Sequence, residues 1–278
     1  MKKTTLCMMM GVAVLATSCL SEDHDLNPVQ EQTQEKQVGQ FRINLSADAS
    51  FSAQTRALNE ATYRNTNNYN VQLLSSAGAV LLEAKASELS ANLPKTLEIG
   101  TYTVRAFYGT ERNASRNDFR VEGSTTFDIK ANENSQVNVN CLPTCGKVLV
   151  NFSDDMATYY NDYNVTFGGT TALGSETFAW AKDDADPWYI LLGENGESLN
   201  YTINLTAKDS YLHVDANGNK TSAATATGTF TLQRNRAYKL TVKPNYTQTT
   251  EGGLSVTITI DESTNDKPIT IEVPVNWI

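Results

Sequence analysis

The sequence has little of what catalysis uses. Two histidines and four cysteines stand in 278 residues. There is no nucleophile elbow, no phosphate-cradling glycine loop, no dinucleotide fingerprint and no zinc-protease helix. His213, the single histidine of the body, supplies no Ser-His-Asp set, and nothing singles out a glycosidase pair of carboxylates. No catalytic residue and no cofactor is expected, and the chain reads as a non-enzyme. Beyond residues 6–16, no hydrophobic stretch nears the roughly 20 residues of a membrane-spanning helix. Positive charge is in the minority, 22 basic against 31 acidic side chains, for a net charge of −9. That balance argues against nucleic acid as a partner and against adsorption on an anionic membrane.

What is there begins with a signal. Lys2 and Lys3 precede the apolar run "LCMMMGVAVLA", and Ala16, Thr17 and Ser18 lead into Cys19. This order predicts a lipoprotein signal peptide over 1–18, cleaved before Cys19, whose thiol is then acylated. The alternative is an ordinary secretory signal with an unmodified cysteine, because Ala16 and Ser18 depart from the strictest recognition pattern. Acylation makes outer-membrane lipid the first partner, each buried methylene contributing about 0.8 kcal/mol. Residues 19–38, "CLSEDHDLNPVQEQTQEKQV", are acidic and polar without apolar periodicity and read as a flexible tether. The acidic run after Cys19 resembles the surface-export signal of Bacteroidetes lipoproteins. It implies a lipid-anchored protein facing the cell exterior.

The body is a series of alternating runs rich in Val, Ile, Thr, Tyr and Phe, split by Asn, Gly, Asp and Ser. They predict an all-β chain, with one short helix around "EAKASELSAN". The runs also repeat. "GQFRINLSAD" matches "GKVLVNFSDD" 107 residues later, and "NNYNVQL" matches "NDYNVTF" after 94. "YTVRA" matches "YTINL" after 99, and "TFDIKANENSQVNV" matches "TFTLQRNRAYKLTV" after 103. Four collinear matches imply internal duplication into two tandem Greek-key β-sandwich domains, 39–143 and 144–278. The junction is "CLPTCG", broken by Pro143 and Gly146.

"GQFRINLS", "TRA", "YNV", "GTYTVRAFYG", "TFDIKANENSQVNVNC" and "KVLVNFSDD" together resemble a lipoprotein family of Bacteroides and relatives, catalogued as a domain of unknown function. The resemblance spans nearly all of the chain after the signal, and Cys145 departs from it where a polar residue is expected. That family is similar to the fimbrillins, pilus subunits and anchors built from two transthyretin-like sandwiches. The likeness implies a structural or adhesive role, in cell adhesion or in pilus assembly or anchoring.

Five groups of residues deserve a site reading. Arg56 and Ala57 lie in the polar loop "AQTRALNE", where an exposed arginine suits a trypsin-like protease. In fimbrillins such a cut frees the first strand, so that another pilus subunit's strand enters the groove; the plain reading is a loop arginine. Ile269, Ile271, Val273, Val275 and Trp277 share one face of "PITIEVPVNWI". They form either a closing strand, at an edge because of Pro274, or a donor strand. Trp180 and Trp188 flank Asp183, Asp184 and Asp186, as core residues with an acidic turn, as a glycan-binding face or as a calcium site. The glycan reading would make the chain a surface lipoprotein of a polysaccharide-uptake system. Cys141 and Cys145 could close a small disulfide or stay free. "DANGNK" starts like a calcium loop but has Ala226 at the twelfth position, which leaves a turn. No metal is expected.

Overall fold

A computed structural model describes residues 37–49, 58–214, 217–247, 253–262 and 268–271. These residues are all-β. In chain order the strands are β1 Val38–Ala47, β2 Asn70–Ser75, β3 Val80–Lys85, β4 Lys95–Glu98, β5 Gly100–Tyr108 and β6 Ala114–Ser115. Then follow β7 Val121–Ile129, β8 Asn134–Pro143, β9 Cys145–Phe152, β10 Tyr160–Gly168, β11 Thr177–Ala181, β12 Trp188–Leu191 and β13 Glu197–Ala207. The last are β14 His213–Val214, β15 Lys220–Thr221, β16 Ala223–Leu232, β17 Ala237–Thr247, β18 Gly253–Glu262 and β19 Pro268–Ile271. The expected short helix is Ala86–Ser90.

Seven strands join in the order β3-β2-β5-β7-β8-β1-β4, four as β11-β10-β13-β16, and six as β19-β18-β17-β9-β12-β6. Alternation builds most of them. In β13 the inward set Leu199, Tyr201, Ile203, Leu205 and Ala207 is buried, while the residues between are not. Two apolar clusters result. One gathers Phe41, Val71, Leu73, Val104, Val121 and Val139. The other gathers Val148, Val165, Phe167, Trp180, Leu199, Ile203 and Leu240.

The repeated motifs build the same local structure twice. β1 pairs in parallel with β8, Phe41 opposite Ser135, and β9 pairs in parallel with β17, Val148 opposite Tyr238. Those partners are displaced by the 107 and 103 residues of the sequence matches. Asn132 N–H donates to Val38 O at 2.9 Å, and Asn235 N–H to Cys145 O at 2.9 Å. Both asparagines are left-handed, at φ 58° and 56°, a conformation their side chains tolerate. Gln40 N–H donates to Glu133 O, and Lys147 N–H to Arg236 O, at 2.8 and 2.9 Å.

The repeated glycine has the same cause. A Cβ on Gly39 would strike Lys130 O, and one on Gly146 would lie 2.9 Å from Gln233 O and 2.6 Å from Leu232 Cγ. In both places the backbone passes too close to a neighbouring turn for any side chain.

One sequence match is displaced by two residues. Strand pairing sets Tyr102 opposite Phe127 and Leu199 opposite Phe230. The counterpart of Tyr102 is therefore Leu199, and not the Tyr201 that the motif "YT" suggests. A slip of two keeps the same side chains inward, so periodicity alone does not distinguish the two.

The two halves differ at one corner. The start of β7 pairs with the end of β8, Val121 opposite Pro143, and Thr125 Oγ1 donates to Asn138 O at 2.8 Å. In the second half β17 pairs with β18 from Tyr238 to Thr247, ten of its eleven residues, and β16 is left at a sheet edge.

Gly146→Ala is expected to lower stability by about 1–3 kcal/mol, as overpacking does. A urea unfolding series against the parent protein measures it; an unchanged midpoint contradicts the close approach.

Candidate functional site

The chemistry-bearing side chains gather where the two halves meet. A single helical turn, Glu60–Arg64, starts the join. The side chain of Asn59 accepts from Ala61 N–H at 3.2 Å and caps it. Glu60 Oε1 then accepts from Lys147 Nζ and from the Tyr189 hydroxyl, both at 2.6 Å. The Lys147 side chain is fully buried and that of Glu60 is 12% exposed. Burial pushes the Lys147 ammonium pKa down, and the Glu60 hydrogen bond and charge pull it back.

β9 makes this possible because both its faces are covered. Val148 and Val150 enter the second cluster, while Cys145, with Tyr189 and Ala237 from neighbouring strands, enters the first. Phe119 stacks on Tyr189 at 4.7 Å and on Tyr63 at 4.0 Å, continuing the join in aromatic surface.

A second join lies at the tryptophans. Trp180 is buried in the second cluster. The Arg116 guanidinium, from the first half, lies 5.2 Å from the centroid of Trp180 and 4.7 Å from that of Trp188. It also pairs with Asp184 and donates to Ala179 O at 3.2 Å. Trp188 Nε1 donates to the same carbonyl, and Asp184 Oδ2 accepts from Ala181 N–H at 2.8 Å. Arg116 thus stands against both rings. Asp183 is exposed and Asp186 half-buried. Among the described residues no three His, Cys, Asp or Glu side chains form a metal-holding group.

Of the two readings of Cys141 and Cys145, the structure holds free, buried thiols. Cys141 lies in the inward set of β8, between Val139 and Pro143, and its Sγ lies 3.7 Å from Ala106 O. Burial pushes the Cys141 thiol up to about 12, with the Glu122 charge adding to it, and likewise raises Cys145.

Cys19, Arg56 and Ala57 lie outside the described residues, and so do Val273, Val275 and Trp277. The strand that precedes Arg56 is well placed to be read. β1 lies between parallel β8 and antiparallel β4. Phe41 is fully buried, but Ile43 and Leu45 are only partly so. They border a cavity of about 190 Å³ with Val71, Ala86, Leu89 and Leu93. The backbone of Ile269 and Ile271 pairs with Ile260 and Ile258 of β18 at a sheet edge. Asp215 is outside the described residues, and "DANGNK" joins the paired strands β14 and β15, with Gly218 at φ 80°.

Sequence reasoning missed Glu60, Lys147, Tyr189 and Arg116. Lys147 left a trace: it interrupts the apolar run "CGKVLV". Arg116 left none, since its loop "RNASRND" reads as ordinary polar surface.

Removing one member of a buried ion pair strands the other charge. Glu60→Ala is therefore expected to cost about 3–5 kcal/mol, and Glu60→Met with Lys147→Met far less. Chemical denaturation of both variants tests this; equal losses would contradict it.

The sequence profile of a family described as "Domain of unknown function (DUF4493)" matches residues 37–275. No curated protein matches the chain. Among solved structures, a candidate cell adhesion protein from Bacteroides eggerthii is similar at 15% identity. It covers 82% of this chain and 96% of its own, with a TM-score of 0.44. The fimbrial anchor protein Mfa2 from Porphyromonas gingivalis is similar at 11% identity, covering 84% and 99%, with a TM-score of 0.43. A fimbrial assembly protein from Parabacteroides distasonis shares 8%, covering 84% and 98%, with a TM-score of 0.40.

Proposed function

The chain belongs to the DUF4493 family, and we propose that it is a fimbrillin-like surface lipoprotein with a structural or adhesive role, in cell adhesion or in pilus assembly or anchoring. On this reading Cys19 carries the lipid and residues 19–38 are the tether. Duplication produced two sandwich domains, 39–143 and 144–278. The repeated glycine contact, the repeated left-handed asparagine and the two parallel strand pairs support the duplication.

The observation that carries the reading is the seat of β1. It is the strand nearest the tether, it is inserted between β8 and β4, and its second half lies over a cavity. Residues 50–57, with Arg56, separate it from everything that follows. The segment beyond is pinned independently, by Glu60 to Lys147. A cut after Arg56 would therefore free β1 with the tether and leave the body held. The backbone edges of β8 and β4 would then accept a strand from another pilus subunit. An uncut chain would remain a lipid-tethered anchor or adhesin.

Two measurements test this. Metabolic labelling with a palmitate analogue is expected to mark the wild-type protein and not Cys19→Ser; an unlabelled wild type overturns the lipoprotein reading. Mild trypsin treatment followed by N-terminal sequencing is expected to yield a body beginning at Ala57. Cleavage elsewhere with Arg56 intact removes the strand-exchange version and leaves the anchor.

A further inference from the structure

Sheet edges are hazards, and chains blunt them with charge, proline, shortness or cover. Among the described residues, the outermost strands of the three large sheets are blunted, with one exception. β3 carries exposed Glu83 and Lys85, and β4 is four residues long with Lys95 and Glu98. β11 is capped from the side: Ala179 O accepts from Trp188 and Arg116, and Ala181 N–H reaches Asp184. β6 has two residues, and β19 has four and begins with proline.

β16 has neither charge, proline nor shortness, and among the described residues no strand pairs on its outer side. It is ten residues long, "AATATGTFTL", without a charge or a proline. Each of its residues pairs on one side with β13, from Thr206 opposite Ala223 to Glu197 opposite Leu232. On the other side it is the end of its sheet. Its first-half counterpart, β7, is closed by β8 at that position. In the second half β18 has drawn β17 away. Ala223, Thr225, Thr227, Thr229 and Thr231 stand exposed along the strand.

We propose that β16 is a docking edge for the β16 of a second copy of this chain, paired antiparallel about a two-fold axis near Thr227. The open backbone requires an extended strand as occupant. Recognition of a foreign strand draws specificity from side-chain pockets, and this edge of alanine, glycine and threonine is flat. A flat, small-residue strand fits it, and β16 itself is one. The edge is also neutral on a chain of net charge −9, so two copies meet there without like charges opposed. An even antiparallel register keeps Ala224, Ala226, Gly228 and Phe230 on the core side of both sheets and sets threonine against threonine outside. The two four-stranded sheets become one of eight. A single strand pair buries less than a standard interface, so the dimer is weak and depends on concentration. The edge is independent of the β1 groove, and its test does not depend on cleavage at Arg56.

Sedimentation equilibrium of the full chain carrying Cys19→Ser, so that no acyl chain drives association, gives the readout. A monomer–dimer equilibrium is expected. Thr227→Lys and Thr229→Lys should each raise the dissociation constant at least about tenfold, since charge on an edge opposes pairing. Thr227→Val, still neutral, should keep the dimer. Far-ultraviolet dichroism and melting of each variant establish that it is folded. A monomer at every concentration overturns the proposal. So does a dimer that survives both lysines, or one that Leu81→Lys on β3 weakens equally.

Discussion

A fully buried cation joins the two halves of this molecule. Lys147 Nζ is buried against Glu60, and the Tyr189 hydroxyl shares the same carboxylate oxygen. A charge so placed is tolerated only while its partner stays within reach. The turn that bears Glu60 must therefore lie on β9, and β9 must present one face to each half. Cys145, Tyr189 and Ala237 follow Lys147 into the first cluster, while Val148 and Val150 serve the second. The two apolar clusters thus lie on opposite faces of β9.

Within each half the construction is economical in rules. A glycine lets a parallel strand pass under a turn, an asparagine takes the left-handed place in that turn, and two backbone hydrogen bonds lock the crossing. The same three parts recur 103 to 107 residues later. Where the halves diverge, the cause is equally local. β17 pairs with β18 over Tyr238–Thr247, whereas the start of β7 pairs with β8, so a corner closed in the first half is open in the second.

Much of this was legible in the sequence. Period-two runs located the main strands, because a half-buried strand must alternate. The motif pair "GQF" and "GKV" falls on two glycines where a Cβ would clash with a neighbouring turn. The offset between β5 and β13 was misread by two residues, since inward Leu199 and Tyr201 satisfy the same alternation. The joins were not legible. Arg116 meets Trp180 and Trp188 across more than sixty residues of chain, and Lys147 meets Glu60 across 87. Those contacts depend on how two halves sit together, which no local pattern encodes. Trp180 and Trp188 stand beside Asp184, and the guanidinium against both rings is Arg116 of the same chain.

The placement of β1 also has a mechanical meaning. It pairs through hydrogen bonds with β8 from Gln40 to Ala47 on one side and with β4 from Val38 to Phe41 on the other. A pull applied at residue 37 and directed along the strand loads those bonds together, in shear, instead of opening them one after another. The same strand lifted sideways from its end would unzip with far less force. A seat that looks modest by burial alone is therefore strong against axial tension and weak against peeling, and the direction of load decides which of the two a tethered body experiences.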